Sequence, residues 1–160
     1  MGEHQHHTGG RRRRAEGGAE VRDPETVVRS YFESFSTRDP DVISAHVSDD
    51  FTNEHTAALG RGCQGREAYR SRLPGFLADM VDLRYEIETL VAGSADVMVS
   101  YRMTARWQGT TPIDIRGAQH LVVSDGLVLR RVDYWDSAAF LVQADPAAAA
   151  ALEAFGIGGG

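Results

Sequence analysis

In Val97-Met98-Val99-Ser100-Tyr101-Arg102-Met103-Thr104-Ala105-Arg106-Trp107, every second residue from Val97 to Trp107 is apolar. Successive side chains of a strand point to opposite faces, so Val97, Val99, Tyr101, Met103, Ala105 and Trp107 make one covered face. Gln108-Gly109-Thr110 turns the chain, and Ile113, Ile115, Gly117, Gln119, Leu121 and Val123 continue an inner face on a second long strand. Upstream, Leu83, Tyr85, Ile87 and Thr89 alternate with Arg84, Glu86 and Glu88, which predicts a strand with one covered and one wet face. Downstream, the turn Ser124-Asp125-Gly126 leads into a fourth strand that ends in Arg131-Val132-Asp133-Tyr134-Trp135-Asp136. On unbroken alternation Leu127, Leu129, Asp133 and Trp135 share one face with Arg131. A carboxylate there is either an outer charge, solvated or paired with Arg131, or a buried acid whose pKa burial would raise.

The half before these strands is helical. Asp23 can cap a helix with Pro24 in its first turn, and Val27, Val28, Tyr31, Phe32 and Phe35 recur at helical spacing as one apolar stripe. That helix stops near Thr37-Arg38-Asp39-Pro40. A short helix over 41–47 follows, then Ser48-Asp49-Asp50 and a strand from Phe51 to His55. A third helix runs over 66–80, with Pro74 as a kink or break. Cys63 falls in the glycine-rich segment 60–65, read as a loop. From Pro146 an alanine-rich helix has Leu152 and Phe155 as its strong apolar anchors. Helices first, then long strands joined by short turns, give an α+β domain with helices packed on one face of a curved antiparallel sheet. The expected organisation is a disordered Arg/Gly/His-rich arm over 1–23, a domain over 24–145, and a C-terminal helix and tail over 146–160.

At 160 residues and 42% hydrophobic, the chain suffices for one domain with a sizeable core. No apolar run is long enough to span a membrane, and the start lacks the apolar stretch of a secretory signal. Cys63 is the single cysteine, so no internal disulfide can form, in keeping with a reducing cytoplasm. The net charge is −6, and the arm carries five arginines against four acids, which leaves an acidic body unsuited to nucleic acid. His4, His6 and His7 are set aside from the fold argument. No metal-ligand spacing, phosphate-cradling loop or dinucleotide fingerprint occurs in the folded region, so neither a metal nor a cofactor is implied.

Val27-Val28-Arg29-Ser30-Tyr31-Phe32, Ser48-Asp49-Asp50-Phe51, Gly65-Arg66-Glu67-Ala68, and Gln119-His120-Leu121-Val122-Val123-Ser124-Asp125-Gly126 leading into Asp133-Tyr134-Trp135-Asp136 together resemble the SnoaL-like branch of the nuclear-transport-factor-2-like superfamily over residues 24–143. The resemblance implies a cone-shaped α+β barrel with an apolar pocket at its open end, commonly in a homodimer. It also covers isomerases, polyketide cyclases, epoxide hydrolases and proteins without chemistry, so the scaffold gives a pocket and not a reaction.

Carried over residue by residue, the resemblance makes Asp133 the foremost catalytic candidate, because SnoaL-like cyclases carry their catalytic aspartate there. Tyr31 falls where ketosteroid isomerases place an oxyanion donor; as a member of the helix stripe it is equally a packed core tyrosine. His55 stands where those isomerases have their general base, an aspartate. Asn53 and Gln119 can orient substrate oxygens, although Gln119 replaces the histidine of the cyclases and the acid of the isomerases. Tyr101, Met103, Trp107, Phe51 and Trp135 would line the pocket or fill the core. An epoxide hydrolase would draw on Arg102 and Asp133, but Thr104 stands where its second aspartate belongs and Arg102 faces away from Tyr101 and Met103. The functional expectation is a cofactor-independent cyclase or isomerase acting by acid/base chemistry on a hydrophobic small molecule such as a polyketide. The rival is a non-catalytic binding or accessory dimer of the same fold.

Overall fold

The computed structural model describes residues 22–158. The arm expected over 1–23 therefore lies outside the described residues except for its last two. Helix α1 spans Pro24–Ser34 and α2 spans Pro40–Ser44; β1 (Val47–His55) and β2 (Cys63–Gln64) precede helix α3 (Arg66–Asp79). Strands β3 (Met80–Ala92), β4 (Asp96–Trp107), β5 (Thr111–Ser124) and β6 (Leu127–Trp135) follow, then α4 (Ser137–Ala144) and α5 (Pro146–Glu153). The chain is α+β, as its sequence pattern implies. Among the described residues six strands form one curved sheet in the order β2-β1-β6-β5-β4-β3. Every neighbouring pair is antiparallel except β1 and β6, which run parallel.

The caps form as the sequence dictates. Asp23 accepts from the Thr26 backbone N–H and α1 buries Val27, Val28, Tyr31 and Phe32 against the concave face. Each such side chain contributes roughly 1.5–3 kcal/mol when fully buried. Arg38, at positive φ just after α1 and its short 3-10 extension, donates to the carbonyls of Leu77 and Met80 and so satisfies the C-terminal end of α3. The turn at Asp125-Gly126 places both residues at positive φ, the backbone twist a two-residue hairpin needs.

Several boundaries differ from the sequence expectation. Strand β1 begins at Val47, not Phe51, because Val47 pairs with Val128. Helix α3 runs continuously through Pro74, which stands on its exposed side. Cys63 belongs to a two-residue strand on β1 rather than to a loop. Helix α4 has no counterpart in the sequence reading. Phe155 anchors nothing, being 81% exposed.

Two bulges change which residues face the core. In β3 the register slips between Ile87 and Thr89, so Leu90 packs inward and Thr89 is exposed. In β6 the two steps from Val128 to Arg130 oppose a single step from Val123 to Val122, leaving Leu129 as the extra residue. Val128 is thus fully buried while Leu127 and Leu129 lie apart from the core cluster, contrary to plain alternation. Beyond the bulge the phase resets, and Arg131, Asp133 and Trp135 turn inward.

Candidate active site

The site is built on β6 after its bulge. Residues two apart on a strand share a face, so Arg131, Asp133 and Trp135 follow one another across the concave side. Pairing supplies the neighbours: β1 sets Asn53 beside Arg131 and His55 beside Asp133, and β5 sets Gln119 opposite Asp133. All of these side chains except Gln119 border a cavity of about 800 Å³, lined also by α3, the segment 59–61 and Phe140 of α4. A volume in that range suits a small-molecule ligand.

Asp133 is 5% exposed. Its Oδ1 accepts from the Tyr101 hydroxyl at 2.7 Å and its Oδ2 from Gln119 Nε2 at 3.0 Å. Burial pushes the Asp133 carboxyl above the usual carboxylate range, while Arg131 and these two donors pull the other way. Arg131, 6% exposed, donates from Nε to Asn53 Oδ1 at 2.9 Å and from Nη1 to the Tyr31 hydroxyl at 2.6 Å. Its guanidinium lies over the rings of Tyr31 and Tyr69, 5.8 and 5.6 Å from their centres. The two phenols meet at 2.6 Å. Burial raises the pKa of Tyr31, Tyr69, Tyr85 and Tyr101, so all four remain neutral hydrogen-bonding groups near pH 7.

Burial, then the fields of Arg131 and Arg72, lower the His55 pKa to about 4. The Trp135 indole donates to His55 Nδ1 at 3.1 Å. A neutral imidazole that accepts at Nδ1 carries its hydrogen on Nε2, so the 3.3 Å approach of Asn53 Nδ2 to that nitrogen joins two donors and is not a hydrogen bond. His55 Nδ1 and Asp133 Oδ2 are 4.0 Å apart, which for an uncharged ring is proximity and not an ion pair.

Among the residues singled out by sequence, Asp133, His55, Asn53, Tyr101, Met103, Trp107 and Trp135 border the cavity. Tyr31, Phe51 and Gln119 lie behind that wall: Tyr31 and Gln119 hold Arg131 and Asp133, and Phe51 packs on Tyr69 at 5.0 Å. Arg102 pairs with Asp114 on the outer face, and Asp133 is the sole buried carboxylate among the described residues. An aspartate pair bridged by arginine is therefore not assembled.

Sequence reasoning missed three participants. Arg131 was visible on the Asp133 face, but only as a surface partner. Tyr69 lies on α3 at helical spacing from Leu73 and Phe76. Gly117 pairs with both Tyr101 and Trp135, and a β-carbon there would lie 2.5 Å from the Tyr101 hydroxyl oxygen and 2.6 Å from its Cζ. Glycine is what lets the Tyr101 ring cross β5 to reach Asp133. Gly117→Ala is expected to destabilise the fold by about 1–3 kcal/mol and to uncouple Tyr101 from Asp133. Denaturant melts with a tyrosine-edited difference spectrum check this; an unchanged midpoint would show that the ring has room to move.

A family model described as "SnoaL-like domain" matches residues 28–131. No curated protein matches the sequence. Among solved structures, a Catenulispora acidiphila protein of ketosteroid isomerase-like fold, in complex with trimethylamine, is similar at 19% identity over 76% of this chain and 93% of that one, with a TM-score of 0.68. An LEH-like epoxide hydrolase of M. tuberculosis shares 18% identity over 81% and 93% of the two chains, with a TM-score of 0.64. A Xanthomonas campestris protein assigned to the polyketide cyclases shares 21% over 76% and 96%, with a TM-score of 0.63. At these identities the likeness is one of fold.

Proposed function

The chain belongs to the SnoaL-like family, and on that premise we propose that its cavity is the active site of a cofactor-independent cyclase or isomerase working by general acid/base chemistry on a hydrophobic small molecule, such as a polyketide or other secondary metabolite. One observation carries this: a single buried carboxylate, Asp133, raised in pKa and oriented by two donors, borders a largely aromatic cavity.

In the proposed step the Asp133 carboxylate takes a proton from carbon next to a substrate carbonyl. The C–H electron pair moves into the new C=C bond and the carbonyl π pair moves onto oxygen. Arg131, which borders the cavity with its Nε and Nη1 held by Asn53 and Tyr31, stabilises the resulting enolate oxygen. In an isomerase Asp133 then returns the proton at another carbon; in a cyclase the enolate carbon attacks a second carbonyl. His55, neutral, acts as a hydrogen-bond donor near this oxygen and not as the base. Tyr31 and Gln119 are positioning residues.

The test is hydrogen–deuterium exchange in D₂O at the α-carbon of 2-tetralone, a bicyclic aryl ketone, followed by NMR. Exchange should rise with pH along one limb whose midpoint lies above the ordinary carboxyl value of 3.8, since the ionised carboxylate is the base. No second limb near 6.5 should appear, because His55 titrates at about 4. Absence of catalysed exchange, or the same limb persisting in Asp133→Asn, would count against this assignment. The same reading takes 24–145 as the functional unit and the cytoplasm as its location, and places a homodimer contact on the outer sheet face, where Met98 and Tyr134 are exposed. Light scattering that finds only monomer at micromolar concentration would remove the dimer.

A further inference from the structure

Among the described residues, six arginines of the sheet and of α3 are neutralised by a carboxylate. Arg102, Arg106, Arg116 and Arg130 on the outer sheet face each pair with an acid, as do Arg66 and Arg70 on α3. Arg72, two residues beyond Arg70, and Arg61 border the cavity and have no carboxylate partner among the described residues. The two are built onto one lip: Arg72 Nη1 donates to the backbone carbonyls of Arg61 and Gly62, which pins the segment that carries Arg61. The Arg61 side chain itself makes no hydrogen bond to the described protein. Asp79, the acid on the same rim, lies seven residues further along α3. At about 1.5 Å rise per residue that is roughly 10 Å from Arg72 along the helix axis. The field of Arg72 reaches inward, since it contributes to holding His55 neutral. Behind the lip the wall is apolar, with Leu73, Phe76, Trp107 and Phe140.

We infer that this lip receives a carboxylate on the ligand, held by Arg61 and Arg72, while an apolar body fills the aromatic interior. This deepens the proposed activity by naming the substrate class as a hydrophobic carboxylic acid, and it rests on the cavity being the substrate site. Guanidinium groups match carboxylates with paired N–H donors, and two unneutralised ones on a single rim of an otherwise acidic protein select for an anion.

Calorimetric titration with 1-naphthylacetate and with the neutral 1-naphthylacetamide separates charge recognition from apolar fit. The acid should bind about 5- to 10-fold more tightly, with the preference shrinking as salt rises. Arg61→Gln removes a side chain that supports nothing else, and should lower the preference by about half or more without changing amide binding; Arg61→Gln/Arg72→Gln should abolish it. In Asp133→Asn the preference should persist. A retained preference together with unchanged exchange in Asp133→Asn would defeat the acid/base assignment and leave the anion lip standing. Equal affinities for acid and amide, no binding of the acid, or a preference that survives Arg61→Gln would each overturn the lip.

Discussion

Asp133→Asn should lower catalysed exchange and turnover by about 10²- to 10⁴-fold with little change in ligand affinity, because it removes the titrating group and keeps its shape. The surroundings can absorb the change. Asparagine still offers an oxygen to the Tyr101 hydroxyl, and Gln119 Oε1, buried without a partner among the described residues, can turn to accept from the new amide. The variant should therefore fold. Its pH dependence should also change. A carboxyl whose folded pKa exceeds its unfolded value binds protons more tightly in the native state, so its contribution favours folding at low pH and is lost as pH rises through the folded pKa. Denaturant titrations from pH 3 to 8 should show that decline in the parent and not in Asp133→Asn. Undiminished turnover in the variant would remove Asp133 from the mechanism while leaving the fold untouched.

The second large effect is on stability. Arg131→Leu should cost about 3 kcal/mol or more, since it deprives Asn53 and Tyr31 of a buried donor and removes the positive charge that favours the ionised Asp133 carboxylate. The penalty should be larger at pH 8 than at pH 5, because Asp133 can shed the uncompensated charge by taking a proton. Adding Asp133→Asn should recover part of the loss at pH 8, the non-additivity expected of coupled neighbours. Chemical denaturation of the two single variants and the double variant at both pH values checks this. A loss within about 0.5 kcal/mol, the range of an ordinary surface substitution, would show that Arg131 is not holding the site together.

The long strands were legible because alternation in Val97–Trp107 and Ile113–Val123 is uninterrupted, and both inner faces are as the pattern predicts. Alternation fails at Leu129 and near Thr89 because a bulge inserts one residue without any compositional mark, so residues on its two sides that read as one face belong to opposite faces. Asp133 emerged as the leading residue from its company of aromatics and from the family resemblance. Arg131 did not, since a guanidinium beside a carboxylate reads equally well as a surface pair; only the parallel pairing of β1 with β6 brings Asn53 to it. The cover formed by segment 59–61 and α4 left no periodic signal. Leu59 N–H is held there by the Ser137 hydroxyl, a contact between short segments far apart in the chain.

The same parallel pairing bears on the order in which the molecule assembles. Arg131 meets Asn53 and Tyr31 across 78 and 100 residues of intervening chain. The β3–β4–β5–β6 meander can form by successive hairpins, each closing a short loop, whereas β1 reaches β6 only by closing a loop that contains the whole meander. Loop closure grows more costly with length and long-range pairings set the pace of folding, so the β1–β6 seam is the late step. The proposed acid/base site lies along that seam, with Asn53 and His55 on β1 beside Arg131 and Asp133 on β6. Until the seam zips, Asn53 and His55 are not beside Arg131 and Asp133, and the candidate site is completed together with the final closure of the sheet.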